Sequence, residues 1–423
     1  MIRSITNARI IDPASEHDDI GTIVMDGARI AEVGAHAAPR GEIIDARGLI
    51  AAPGLIDMRV QAGEPGRESK ETLASAGRAA AAGGVTTIVI TPDTKPVIDD
   101  AAMVDYISRR GEAECAVNVK VAGALTHGLD GRTLSEIGLM QQAGAVMFSS
   151  GRAPIADAQT MRRMLSYAAN FNALISNRAI DPSLSQGAAA HESDLSSRLG
   201  LTSAPAMAER LMAERDIALA ELTGGRLLLD LISSREALSV VRRAKSRDLE
   251  IAASVSINHL CLNELDIGDY RSFAKLDPPL RSEDDRAALI GGINDGTIDI
   301  IVSDHDPHPA GEKRLPYGEA ASGAVGLEIL LAGGLSQAAD GALNLSAFLR
   351  ALTINPAALL GLRSGRLAVG APADIILIDP HKPWVCAGED LLSKSKNTPF
   401  DGRRMTGKCV QTFVGGKSVY KAD

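Results

Sequence analysis

Eight short apolar runs, near residues 54–60, 86–91, 117–123, 144–149, 173–177, 226–232, 250–256 and 298–303, punctuate the middle of the chain. Between them lie Ala-, Leu- and Arg-rich stretches of helical character, such as 70–83, 204–223 and 235–247. Runs that are apolar throughout, rather than alternating, are strands buried on both faces, as in a parallel sheet. Eight strand–helix alternations over about 310 residues predict a (β/α)8 barrel with insertions. The rival pattern is a doubly wound open sheet. No GxGxxG opens a helix after the first strand, which weighs against the nucleotide-binding form of that rival.

The chain ends follow a different rule. Residues 1–52 carry β-rich segments at 9–12, 22–25 and 42–45, with Asp26-Gly27 as a hairpin signal. The strand pattern returns at 365–370, 373–379 and 410–417. Residues 1–52 are too poor in apolar side chains to form a core alone. The expected division is therefore a discontinuous β-sandwich, 1–52 with 365–423, around a barrel of 53–364.

Composition excludes several classes. The net charge of −9 disfavours a nucleic-acid partner. Cys115, Cys261, Cys386 and Cys409 have no CxxC spacing, so neither a disulfide framework nor a zinc knuckle is expected. No apolar run reaches the roughly 20 residues of a membrane span, and Met1 leads directly into a strand pattern. The cytoplasm is the expected location.

In a barrel, chemistry sits where the strands end. The residues just past the eight strands are Arg59 and Gln61; Thr91 to Thr94; His127; Ser149 to Gly151; Asn177 and Arg178; Leu231 to Ser234; Asn258 and His259; and Ser303 to His308. Arginine has no lone pair to give a metal, and glutamine offers only a neutral amide oxygen. The one suggestive cluster is Asp304, His305, Asp306 and His308. It is equally well read as a polar, capped loop.

Several motifs carry a resemblance that covers nearly the whole chain. They include Pro53-Gly54-Leu55-Ile56-Asp57, Glu64-Pro65-Gly66, the stretch 80–87 (AAAGGVTT), Pro278-Pro279-Leu280-Arg281, 304–308 (DHDPH) and Gly370-Ala371-Pro372-Ala373-Asp374. The chain resembles the cyclic amidohydrolases, class I dihydroorotases in particular. The resemblance implies an amidohydrolase barrel with a β-sandwich built from both termini. It also implies a zinc site fed by six side chains. At five of those positions this chain has Arg59, Gln61, Ser150, Arg178 and Leu231. The sixth, Asp304, matches the family's catalytic aspartate. Of the substrate-binding positions, Gly63 stands where the family has arginine, and Asp93 and Asp277 stand where it has asparagine, while His308 is kept.

This pattern implies a dihydroorotase-like chain that holds no metal cofactor. Asp304 would then neutralise Arg59 or Arg178 rather than catalyse. The function implied is a non-catalytic structural or regulatory subunit for aspartate carbamoyltransferase, itself a homodimer. Two alternatives stand beside it. One is an active amidohydrolase of dihydroorotase, hydantoinase or allantoinase type, with a metal site rebuilt around Asp304, His305, Asp306 and His308. The other is a metabolite-binding protein.

Overall fold

The computed structural model describes residues 1–422. The amino-terminal segment forms five strands: β1 (Ile2–Asp12), β2 (His17–Asp26), β3 (Arg29–Gly34), β4 (Glu42–Asp45) and β5 (Ile50–Pro53). The barrel strands are β6 (Leu55–Val60), β7 (Val85–Ile90), β8 (Asn118–Ala124), β9 (Ala145–Ser149) and β10 (Leu174–Arg178). They continue, after a short parallel pair β11 (Ala190–His191) and β12 (Ser203–Ala204), as β13 (Arg226–Asp230), β14 (Ile251–Ser256) and β15 (Ile300–Val302). The chain closes with β16 (Ile375–Val385), β17 (Arg404–Val414) and β18 (Lys417–Lys421).

The eight barrel strands pair in parallel in the order β6-β7-β8-β9-β10-β13-β14-β15. A bridge between Val60 and His305, with Gln61 N donating to His305 O at 2.9 Å, brings the last strand end back to the first. The barrel is thus nearly closed, as the eight alternations predict. Its interior is filled by inward side chains such as Ile56, Met58, Val89, Leu228 and Val302. Helices cover the outside and begin and end where local chemistry favours it. Helix Arg235–Lys245 starts at Ser234, whose hydroxyl accepts from Ala237 N, and ends with Arg242, Arg243 and Lys245 against the negative end of its dipole.

Both chain ends share one eight-stranded sheet in the order β18-β17-β16-β5-β1-β2-β3, with β4 beside β1. Its core joins Ile5, Ile10, Ile23 and Met25 from the start of the chain to Ile375, Leu377 and Phe413 from its end. The amino-terminal strands do borrow their partner from elsewhere. The hairpin turn falls at Asp26-Gly27, with Gly27 at φ 57°. Two details differ from the sequence expectation. Residues 365–370 form a turn rather than a strand, because Gly365 and Gly370 both take positive φ. The β11–β12 pair is too short to leave a periodic signal.

One excursion positions the site. Between β16 and β17 the chain leaves the sheet and lies along the carboxyl end of the barrel. Asn397 Nδ2 donates to Asp306 O at 3.1 Å and to Gly323 O at 3.0 Å, and its Oδ1 accepts from His308 N at 2.9 Å. No helix among the described residues is long and apolar enough to cross a membrane.

Candidate active site

Arg59 ends the first barrel strand. A register shift between Asp57 and Val60 breaks the in–out alternation there, so both Met58 and Arg59 serve the barrel interior. The Arg59 side chain is 5% exposed. Its Nε donates to Asp304 Oδ1 at 2.9 Å, and its Nη1 donates to Asp230 Oδ2. Asp230 is the last residue of β13, and its other oxygen accepts from Ser254 Oγ at 2.8 Å. One guanidinium therefore joins carboxylates from two other strand ends at the centre of the barrel. Burial works against the Arg59 cation, but Asp230, Asp304 and Asp93 together raise its pKa. Asp304 is pushed up to about 7, first by burial and then by nearby Asp306, against the pull of Arg59 and Arg178.

Two further arginines close the mouth. Arg178 Nη2 reaches Asp277 Oδ1 at 2.9 Å, and Arg178 N donates to Ser150 Oγ at 3.2 Å. Arg152 Nη2 meets Asp306 Oδ2 at 2.7 Å and Ser322 O at 2.8 Å, while Arg152 N donates to Asp93 Oδ1 at 2.9 Å. Burial raises the pKa values of Asp277 and Asp306, but Arg178 and Arg152 respectively outweigh it and hold both below the usual carboxylate range. His308 sits between Asp306, at 3.2 Å from Nε2, and Glu312, at 2.6 Å from Nδ1; Lys70 bonds the same Glu312 oxygen at 2.7 Å.

The structure thus gathers Arg59, Arg178, Ser150, Asp93, Asp277, Asp304 and His308 at one end of the barrel. Sequence reasoning missed Asp230 and Arg152. Asp230 had one usable signal, a charge closing the apolar run Leu227-Leu228-Leu229. Leu231 takes φ 56° and packs into the interior layer with Met58, Leu228 and Val302. Gly63 marks more than a lost cation. At φ 70° a Cβ there would stand 2.7 Å from Arg67 O, so the turn itself requires glycine. With Gln61, Lys70 and Asp93 it lines a residual cavity of about 10 Å³.

The regrouped metal site does not form. His305 turns away, with its Nδ1 accepting from Gly326 N at 3.2 Å and its Nε2 facing Glu71 at 3.4 Å. His308 Nδ1 is committed to Glu312, and its Nε2 stands 3.2 Å from Asp306. Buried His259, whose pKa falls to about 4 through burial, faces Pro279 O at 3.3 Å, and His127 is half exposed beside Asp99. Among the described residues no three His, Cys, Asp or Glu side chains are placed to hold a metal ion. The side chains at the five expected ligand positions, two guanidiniums, an amide, a hydroxyl and a leucine, do not fit zinc.

The family model described as Dihydro-orotase-like matches residues 48–237, and the one described as Amidohydrolase family matches 330–420. A dihydroorotase of Pelobacter propionicus is 40% identical over 419 residues, covering 99% of each chain. One from Anaeromyxobacter dehalogenans is 40% identical over 423 residues, covering 99% of this chain and 98% of its own. This chain belongs to the dihydroorotase family. The L-hydantoinase of Arthrobacter aurescens superposes with a TM-score of 0.91 at 23% identity, over 99% of this chain and 96% of its own. The dihydropyrimidinase of Brevibacillus agri gives 0.87 at 21%, over 100% and 95%. Both share the fold of this family member.

Proposed function

We propose that this dihydroorotase-family chain has given up metal-assisted ring hydrolysis and acts as a structural or regulatory subunit for aspartate carbamoyltransferase. The observation that carries this reading is Arg59, whose guanidinium lies between Asp230 and Asp304 where the family gathers its metal ligands. A metal earns its place in such a reaction by lowering the pKa of bound water from about 15.7 to about 7. A positioned general base alone contributes about 10²–10⁴-fold. Asp304 is tied to Arg59 and has little freedom to serve even as that base. The anion-binding character of the pocket is also reversed, with Asp93 present and no arginine at Gly63.

What such a chain offers is its surface. The rim loops 61–70 and 309–320 are the candidate contacts with the transferase, and the chain is expected to pair with a second copy. Co-expression with the transferase of the same organism, followed by size-exclusion chromatography with mass measurement, tests this. Co-elution that survives chelators is the expected result. Separate elution, with full transferase activity in the absence of this chain, would remove the support for a subunit role.

A further inference from the structure

A group of cations with few carboxylate partners lies at the other end of the barrel. A cleft of about 370 Å³ opens where the terminal sheet meets the starts of β7 and β8. Lys120, Arg29 and Arg363 line it, together with Ser364, Asn118 and Asp374. Among the described residues neither Lys120 nor Arg363 has a side-chain hydrogen bond or ion pair. Arg29 uses Nη1 on Gly370 O at 2.6 Å, which leaves the rest of its fork free. The single carboxylate is already engaged: Asp374 Oδ1 accepts from Gly415 N at 2.7 Å, and Oδ2 from Asn118 Nδ2 at 3.1 Å. Three cations against one amide-bound carboxylate make this cleft positive in a chain whose net charge is −9.

We propose that this cleft binds a small phosphate-bearing anion. Like charges sharing a cavity repel, and an anion among them relieves that repulsion. Arginine forks match phosphate oxygens in pairs, lysine adds a point charge, and the Ser364 hydroxyl supplies a neutral donor. The volume falls in the range of small-molecule sites, about 300–1,000 Å³, enough for a phosphate group and a compact organic body. The proposal does not depend on what the carboxyl-end mouth does.

Isothermal titration of the full-length protein in phosphate-free, low-salt buffer tests it, with inorganic phosphate, pyrophosphate and adenosine monophosphate as separate probes and potassium chloride as the ionic-strength control. Saturable binding of at least one probe is expected, stronger than any chloride effect. Lys120→Ala and Arg363→Ser should each weaken it about tenfold or more, as loss of a charge-assisted contact does. Arg132→Ala, an exposed cation on another surface, should leave it unchanged. Tightest binding of the monophosphate would mark a nucleotide-type ligand, and equal binding of all three a free phosphate. Heat without saturation for every probe, or equal affinity in wild type and both cleft variants, would overturn the proposal. Circular dichroism of the variants confirms that they fold.

Discussion

The two ends of the barrel have opposite characters. At the carboxyl end, charged side chains crowd together and satisfy one another: Arg59 with Asp230 and Asp304, Arg152 with Asp306, Arg178 with Asp277. The cavity beside Gln61, Gly63 and Asp93 measures about 10 Å³. At the amino end, a cavity of about 1010 Å³ opens among the strand starts, lined by apolar groups such as Val146, Leu174 and Ile251, with charges at its edge such as Asp299. The fold normally keeps its chemistry at the first end and only stability at the second. In this chain the first end is assembled like a core. Its charges are internal counterions, with Arg59, Arg152 and Arg178 each paired to an aspartate.

The comparison breaks most severely at Arg59. Arg59→Ala leaves two buried carboxylates without their cation, and urea denaturation should show a loss on the order of 3–5 kcal/mol or more. Asp304→Asn should cost less, on the order of 1–3 kcal/mol, because Arg59 keeps Asp230. A loss at Arg59 no larger than at Asp304 would mean that the guanidinium does not hold the two strand ends together.

Titration sharpens the contrast. Asp304 is held near 7 against an ordinary 3.8, and Asp57 near 6, in both cases chiefly by burial. The folded chain thus retains protons that the unfolded chain releases between pH about 4 and 7, so stability should fall as the pH rises through that window. Asp277 and Asp306 shift downward instead, and their contribution is lost only as the pH drops below the ordinary carboxylate value. Melting temperatures from pH 4 to 8 check this, and Asp304→Asn should flatten the decline. A flat profile in the wild type would contradict the assignment of a raised Asp304.

The smallest effect belongs to the amino end. The Lys245–Asp299 pair spans 2.6 Å, with side chains 24% and 28% exposed. Lys245→Ala should cost roughly 0–1 kcal/mol, as partly solvated pairs do. A loss as large as that at Arg59 would erase the distinction between the ends.

The barrel was legible because its strands are apolar over most of their length, and the sheet boundaries follow those runs to within about two residues. The pooling of both chain ends into one sheet was legible from the apolar poverty of residues 1–52. The site was half legible. Arg59, Arg178 and Asp304 stand where strands end, so their convergence follows from the fold. Which carboxylate takes which guanidinium does not. Arg178 turns to Asp277, and Arg59 takes both Asp304 and Asp230, because a register shift in β6 re-aims one side chain. Arg152 lies in a loop after β9 with no periodic pattern to place it. Charge pairing across elements far apart in sequence is set by backbone irregularities of this kind, which leave no mark on hydrophobic rhythm.

We propose that the Arg59 guanidinium stands in the place of the family's metal. Elemental analysis of the dialysed protein, paired with a dihydroorotate hydrolysis assay on the same sample, tests it most directly. Zinc far below one ion per chain and no turnover above the buffer rate are expected. One or two zinc ions per chain retained through dialysis, with turnover in the ordinary enzymatic range of about 1–10³ per second, would contradict it.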